Sequence, residues 1–111
     1  GLTLRSCSNE QLELEMPWRD EIVSNPAIGS AHGGVLASLI DLTGLYTLLS
    51  QGTGAKATAD LRDDYHRPAT SGPLVASGKI IKIGKNISVA ETRVYGPTGN
   101  LLASGRGAYV C

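Results

Sequence analysis

The sequence carries no net charge, contains no phenylalanine and has only two cysteines among its 111 residues. The balance of acidic and basic residues, without a strongly basic run, argues against nucleic acid as a partner. Cys7 and Cys111 lie near the two ends of the chain, without the spacing of a metal site. Free thiols in a reducing compartment are therefore expected, with an end-to-end disulfide as the alternative.

Targeting signals are also missing from the sequence. No segment has the pattern of a signal peptide, and the longest apolar stretch, of about 15 residues, is too short to span a bilayer. The length fits a single domain over residues 1–111. These features predict a cytoplasmic protein with no membrane partner.

Charge is almost absent from the middle of the chain, where Asp41 is the only formally charged residue between Glu21 and Lys56. It interrupts the apolar stretch 35–49, which predicts a long helix buried on more than one side. A buried carboxylate without a partner is costly, and Ser38 offers only a hydroxyl on the same helix face. Asp41 is therefore a candidate functional residue, although a structural role is the alternative.

Two glycines, Gly33 and Gly34, open this helix. Their backbone amides lie at the positive end of the helix dipole, which suits an oxyanion or a polarised carbonyl oxygen. A tight entry turn is the alternative explanation. Gly33 and Asp41 are separated by about 12 Å along a helix axis, so one reacting group cannot touch both within one chain. Two antiparallel helices related by a two-fold axis would bring Gly33 of one copy beside Asp41 of the other.

The remaining pattern predicts an α+β fold in which a sheet curls round the helix. Alternation predicts a first strand at 11–16, before a turn-like piece at 18–23 and a loop at 24–31. Short connections after the helix predict antiparallel pairing. The expected later strands are 55–65, 73–83, 87–95 and 101–110. Asp60, Asp63 and Asp64 are expected to form a solvated face.

Three segments resemble the hot-dog-fold acyl-CoA thioesterases, most closely the phenylacetate-pathway (PaaI-like) branch. They are 25–41, which contains His32-Gly33-Gly34 and Asp41; 58–69, which ends in Tyr-x-Arg-Pro-Ala; and 99–107. The resemblance implies a curved antiparallel sheet wrapped round one long central helix. It also implies homodimers, often paired into tetramers, with active sites at the subunit interface.

The resemblance also implies roles for individual residues. Asp41 would act as general base or nucleophile, the Gly33 amide would polarise the thioester carbonyl, and Thr58 would hold the water or Asp41. The candidate substrate-binding residues are Asn25, His32, Gly34, Lys82, Gly84 and Lys85. His32 is interpreted mainly as setting the glycine turn. The lysines around Gly84 either contact the phosphates of CoA or protect a sheet edge.

The expected activity is hydrolysis of acyl-CoA thioesters to free acid and CoA. No metal or separate cofactor is expected, because CoA enters as part of the substrate. A non-catalytic acyl-CoA-binding module and a hydroxyacyl-thioester dehydratase of the same fold are the alternatives. A binding module would not need the lone acid, and the His-Gly-Gly to Asp41 pattern fits the thioesterase better than the dehydratase. The sequence leaves the acyl group open.

Overall fold

The computed structural model describes residues 2–8, 10–18, 23–25, 30–31 and 33–111, and of 23–25 and 30–31 it describes the backbone alone. These residues form one long helix and eight strands. In chain order the elements are β1 (Thr3–Cys7), β2 (Gln11–Met16), β3 (Val23–Asn25), β4 (Ser30–Ala31), α1 (Gly33–Ser50), β5 (Ala57–Tyr65), β6 (Leu74–Lys82), β7 (Ile87–Tyr95) and β8 (Leu101–Val110).

Six of these strands form one antiparallel sheet in the order β1-β2-β6-β7-β8-β5. β6, β7 and β8 are joined as hairpins, because their connections are short enough for antiparallel neighbours. β5 instead pairs with β8, at the opposite side of the sheet from β2. As a result β5 is an edge strand whose outer hydrogen-bonding groups meet no other described strand.

The helix packs against this sheet and contacts β2, β5, β6, β7 and β8. Its sheet-facing side buries seven residues: Leu36, Leu39, Ile40, Thr43, Gly44, Thr47 and Leu48. Two of them are threonines whose hydroxyls donate back to helix carbonyls four residues earlier, at 2.6 Å in both cases. This arrangement satisfies the buried hydroxyl groups without a partner in the sheet.

A glycine in the sheet sets how closely the helix approaches. A side chain at Gly78 on β6 would overlap the hydroxyl of Thr47 and press against Thr43. The helix backbone therefore lies close to the strand at a point where no side chain separates them. On either side of this point the core is apolar, with one cluster around Leu36, Ile40 and Leu74 and another around Leu48 and Tyr109.

The outward side of the helix remains apolar but is not covered within the chain. Leu42, Tyr46 and Leu49 are 38%, 44% and 41% exposed. The helix has 18 residues, longer than the predicted apolar stretch, and by length and hydropathy it could cross a membrane. Its buried face on the sheet identifies it as the core helix of the fold. The helix was expected to be buried on more than one side, but within a single chain only its sheet-facing side is buried.

The predicted α+β arrangement, with one helix lying against an antiparallel sheet, is confirmed. Strands 11–16, 87–95 and 101–110 have the predicted bounds, and the other two predicted strands are one or two residues shorter at their ends. β1 was not expected, because its sequence does not alternate clearly. The predicted loop at 24–31 was partly wrong, since β3 and β4 pair there. Residues 19–22 of the turn-like piece lie outside the described residues.

The two cysteines are both unpaired. Cys7 is exposed on β1, and Cys111 follows β8. The thiol of Cys111 lies 3.2 Å from the hydroxyl of Ser88, inside the end of the sheet. The expectation of free thiols is confirmed, and the end-to-end disulfide is not formed.

Candidate active site

The carboxylate of Asp41 projects from the middle of the helix toward the edge strand β5. The hydroxyl of Thr58 donates a hydrogen bond of 2.6 Å to its Oδ1 atom. Asp41 is partly exposed in the single chain rather than fully buried as expected, because it lies at the boundary between the sheet-facing and outward sides of the helix. Its polar partner is this strand hydroxyl, whereas Ser38 on the helix is exposed.

The main chain of Asp41 is held as well. Tyr109 on β8 is fully buried, and its hydroxyl donates a hydrogen bond of 2.9 Å to the carbonyl oxygen of Asp41. Burial, followed by the nearby Asp41, raises the pKa of Tyr109 well above its ordinary value, so the phenol stays protonated and remains a donor. We call Asp41, Thr58 and Tyr109 the Asp41 half-site.

The start of the helix forms a second group, which we call the Gly33 half-site (Gly33, Gly34 and Tyr65). Gly33 and Gly34 are the first two helical residues and are exposed. The hydroxyl of Tyr65 donates a hydrogen bond of 3.0 Å to the carbonyl oxygen of Gly33. Burial and the charge of Asp63 raise the pKa of Tyr65, which keeps this donor protonated at neutral pH. The first turn contains no acidic residue, so nothing on it offsets the positive end of the helix dipole.

A β-bulge places both half-sites on the same face of β5. Thr58 and Tyr65 are seven residues apart, and in a regular strand such residues point to opposite faces. The pairing of β5 with β8 shifts register between Thr58 and Asp60, which adds one residue to β5. Both hydroxyls therefore reach the helix, one at its middle and one at its start. Neither Tyr65 nor Tyr109 was identified from the sequence, although the Tyr-x-Arg-Pro-Ala ending contains the first of them.

Asp63 lies on the same inward face of β5, which corrects the expectation that it belongs to a solvated surface. Its Oδ1 atom is buried and has no hydrogen-bond partner among the described residues. A side chain at Gly105 would overlap that oxygen, so the missing side chain on β8 makes the space for the carboxyl group. Burial, then Asp41, then Asp64 raise the pKa of Asp63. The bulge moved Asp63 inward, which alternation alone could not predict.

Two cavities adjoin the Gly33 half-site, one on each side of the helix start. The first, of about 310 Å³, is lined by Gly33, Leu36, Tyr65, His66, Arg67, Pro68 and Ala69. The second, of about 500 Å³, is more apolar and is lined by Leu2, Met16, Gly34, Val35, Ser38, Leu39 and Leu42. A larger cavity of about 560 Å³ contains Arg62 and Asp64 and lies on the outer face of the sheet, away from the helix.

The other predicted binding residues are spread over the chain. Lys82 and Lys85 are exposed beside Gly84, whose amide donates to the hydroxyl of Ser88 at 3.1 Å. Ser88 pairs with Tyr109, and Tyr109 pairs with Thr58, so this turn lies at the same end of the sheet as the Asp41 half-site. Asn25 lies in β3, but its side chain and all of His32 are outside the described part of the structure.

The two half-sites carry the kinds of groups that serve acid–base chemistry at a carbonyl group. A hydroxyl-held carboxylate can activate water, and helix amides can bind the oxygen that gains negative charge. Among residues 2–8, 10–18, 23–25, 30–31 and 33–111, no three His, Cys, Asp or Glu residues could hold a metal ion together. Within one chain, however, the carboxylate and the helix start are about 12 Å apart along the axis.

Comparison with known proteins identifies the class of this fold and site. The model of the thioesterase superfamily matches residues 28–103, which include Gly33, Asp41 and Thr58. A solved thioesterase superfamily structure superposes with a TM-score of 0.94 at 40% identity, covering 99% of this chain and 83% of the other. The fold is therefore the hot-dog fold, and the chain belongs to the thioesterase superfamily and is a thioester hydrolase.

Two further similarities indicate which members of the superfamily this chain resembles. Acyl-coenzyme A thioesterase 13 of Mus musculus is 32% identical, over 95% of this chain and 76% of that protein. The Escherichia coli PaaI protein, from the phenylacetic acid degradation operon, superposes with a TM-score of 0.88 at 26% identity, covering 99% of this chain and 82% of PaaI. The resemblance to the PaaI-like branch in the sequence is thus matched in the structure.

Proposed function

We propose that the protein hydrolyses acyl-CoA thioesters to a free acid and CoA, at sites shared between two copies of the chain. The observation that carries this proposal is the division of the site. Each chain holds a carboxylate at one end of β5 and helix amides at the other end. The similarity to mammalian acyl-coenzyme A thioesterase 13 supports acyl-CoA as the substrate class.

The edge strand supports the two-fold arrangement. β5 is nine residues long and has one side paired with β8. Its other side can pair with the β5 of a second copy in antiparallel fashion. Such pairing sets the Tyr65 end of one strand beside the Thr58 end of the other. Gly33 of one chain would then approach Asp41 of its partner, and the outward apolar residues of the two helices would lie near one another.

In the proposed reaction, the thioester carbonyl oxygen binds the Gly33 amide at the start of the helix. The positive end of the helix dipole stabilises the negative charge that develops there. Asp41 of the partner chain takes a proton from water as the water attacks the carbonyl carbon, or attacks that carbon itself. Thr58 holds the carboxylate in position through its hydrogen bond. The carbon–sulfur bond then breaks and the CoA thiolate leaves and takes up a proton. Where Asp41 itself has attacked, water then hydrolyses the acyl–Asp41 anhydride, which releases the acid and restores the carboxylate.

The rest of the substrate can be assigned to surfaces near the two half-sites. The apolar cavity beside Gly34 offers space for an acyl group. Lys82 and Lys85 at the Gly84 turn supply positive charge for the phosphates of CoA at the Asp41 end of the sheet. CoA would enter with the substrate, and the reaction as proposed needs no further cofactor. Pairing of dimers into tetramers is part of the same proposal.

The test is thiol release from a panel of aliphatic and aromatic acyl-CoAs. Free thiol with the unaltered protein indicates hydrolysis, whereas a conjugated thioester without thiol indicates dehydration. Binding of acyl-CoA without either product would identify a binding module. Both of the last two outcomes would overturn the proposal.

Mixing two inactive variants tests whether the site is shared. Asp41→Asn removes the base, and Gly33→Pro removes one amide at a first helical position, where proline is tolerated. In a mixed dimer one of the two shared sites keeps both the Gly33 amide and Asp41. Random mixing should therefore restore about a quarter of the activity of the unaltered protein. A mixture that stays inactive, although mass spectrometry shows mixed dimers, would contradict the shared site.

A further inference from the structure

We propose that Tyr109 is a positioning residue of the site, which fixes the height and rotation of the helix so that the Asp41 carboxylate meets Thr58. This inference rests on the proposed function. Tyr109 touches no reacting atom and acts through the main chain of Asp41. Its hydroxyl donates to the Asp41 carbonyl oxygen at 2.9 Å from a fully buried position. A buried phenol needs such a partner, and this one is the main chain of the residue that carries the chemistry.

The register of the sheet couples this contact to the one made by Thr58. Tyr109 on β8 is directly opposite Thr58 on β5, so their side chains leave the same face of the sheet side by side. One of them holds the carboxylate of Asp41, and the other holds its carbonyl group. The two neighbouring hydroxyls therefore hold Asp41 at two of its atoms, and in this way they fix the distance between Asp41 and the sheet.

Two glycines provide the space for the Tyr109 ring. A side chain at Gly44 on the helix would overlap the Tyr109 hydroxyl, and so would a side chain at Gly107 on β8. Gly44 lies three residues after Asp41, on the sheet-facing side of the helix. Glycine is unfavourable in the interior of a helix. The sequence thus has a poor helix-forming residue at the position where a larger one would overlap the Tyr109 ring.

Positioning matters at this site because the helix carries the base and the sheet carries its partner. A displacement of about 1 Å between reacting groups can lower a rate by about a hundredfold. Without the Tyr109 hydroxyl, the helix remains packed by its apolar face, but its height over β5 and β8 is fixed by packing alone. The Thr58 hydrogen bond would then lengthen or lose its direction.

The experiment compares Tyr109→Phe with Thr92→Val. Thr92 is also buried, and its hydroxyl donates at 3.4 Å to the carbonyl oxygen of Ile40, the residue before Asp41. Both variants remove one buried hydroxyl that reaches the same helix. We expect Tyr109→Phe to lower kcat by about tenfold with KM within about twofold, and Thr92→Val to leave kcat within about twofold. Thermal unfolding of both variants measures the structural effect separately.

A double variant tests the mechanism. If Tyr109 acts by holding Asp41 against Thr58, then Tyr109→Phe should lower kcat less in a Thr58→Val background than in the unaltered protein. Equal losses of kcat in Tyr109→Phe and Thr92→Val, or fully additive effects with Thr58→Val, would overturn the inference. Failure of the proposed function would give different results: no thiol release by the unaltered protein, or full activity of Asp41→Asn.

Discussion

The two half-sites on β5 differ in how firmly the chain holds them. At the Asp41 half-site, the hydroxyls of Thr58 and Tyr109, on adjacent strands, both donate hydrogen bonds to Asp41. Tyr109 is fully buried. At the Gly33 half-site, the hydroxyl of Tyr65, a residue that is 53% exposed, donates to the carbonyl oxygen of the first helical residue. The chain therefore fixes its carboxylate by itself and leaves its helix amides at an open surface. This difference is expected if a partner completes the second half-site.

The largest expected effect comes from Asp41→Asn, which removes the base while keeping the size and polarity of the side chain. General acid–base groups contribute about 10²- to 10⁴-fold, so kcat should fall at least about a hundredfold. Thiol-release kinetics measure the change. Sedimentation confirms that the variant keeps the oligomeric state of the unaltered protein. Near-normal turnover would remove Asp41 from the mechanism.

Gly44→Ala and Gly33→Ala directly compare the packing of the two half-sites. At Gly44 the new methyl group would overlap the Tyr109 hydroxyl, and such overpacking typically costs about 1–3 kcal/mol. At Gly33 it would lie 3.8 Å from the Tyr65 ring, an ordinary contact. We therefore expect urea unfolding to show a clear loss of stability for Gly44→Ala and little change for Gly33→Ala. Equal stabilities would contradict the difference in packing.

Removing one hydroxyl from each half-site gives a smaller and graded effect. Thr58→Val deletes a hydrogen bond to a carboxylate, a type that contributes about 1.5–3 kcal/mol, so about a tenfold or larger loss of kcat is expected. Tyr65→Phe deletes a hydrogen bond to a carbonyl group at an exposed position, and the loss should be only a few-fold. Steady-state kinetics of the two variants rank the contacts. A larger loss for Tyr65→Phe would reverse the comparison.

The smallest expected effect is a change with pH in the stability that Asp63 contributes to the fold. Because the pKa of Asp63 is raised from 3.8 in the fold, the protonated form is favoured by folding. Its contribution to stability is present below the ordinary pKa and is lost as pH rises through the higher pKa of the folded state. Asp63→Asn should therefore gain stability relative to the unaltered protein as pH is raised from about 4 to 7.

Denaturant unfolding across this pH range tests the expectation for Asp63. Asp60→Asn, on the exposed face of the same strand, is the control for removing one negative charge. A stability difference between Asp63→Asn and the unaltered protein that does not change with pH would show that Asp63 titrates alike in the folded and unfolded chains.

The sequence by itself determined the helix, five of the strands within two residues at each end, and the candidates Gly33, Asp41 and Thr58. These follow from local rules: the apolar stretch, its lone charge, the opening glycines, strict alternation and a family motif. Each rule involves neighbours in the chain, so tertiary contacts need not be known to apply it.

Only the tertiary structure decided that Tyr109 meets Asp41 and that Asp63 faces inward. The bulge in β5 turned Asp63 inward and set Thr58 and Tyr65 on one face, and a single inserted residue of this kind leaves no mark in the alternation pattern. The pairing of β5 with β8, rather than with β6, brought Tyr109 opposite Thr58 from the far end of the chain. Strand order depends on long-range packing of the sheet on the helix, and this is why the sequence could name Asp41 and, through the family motif, Thr58, but not Tyr109.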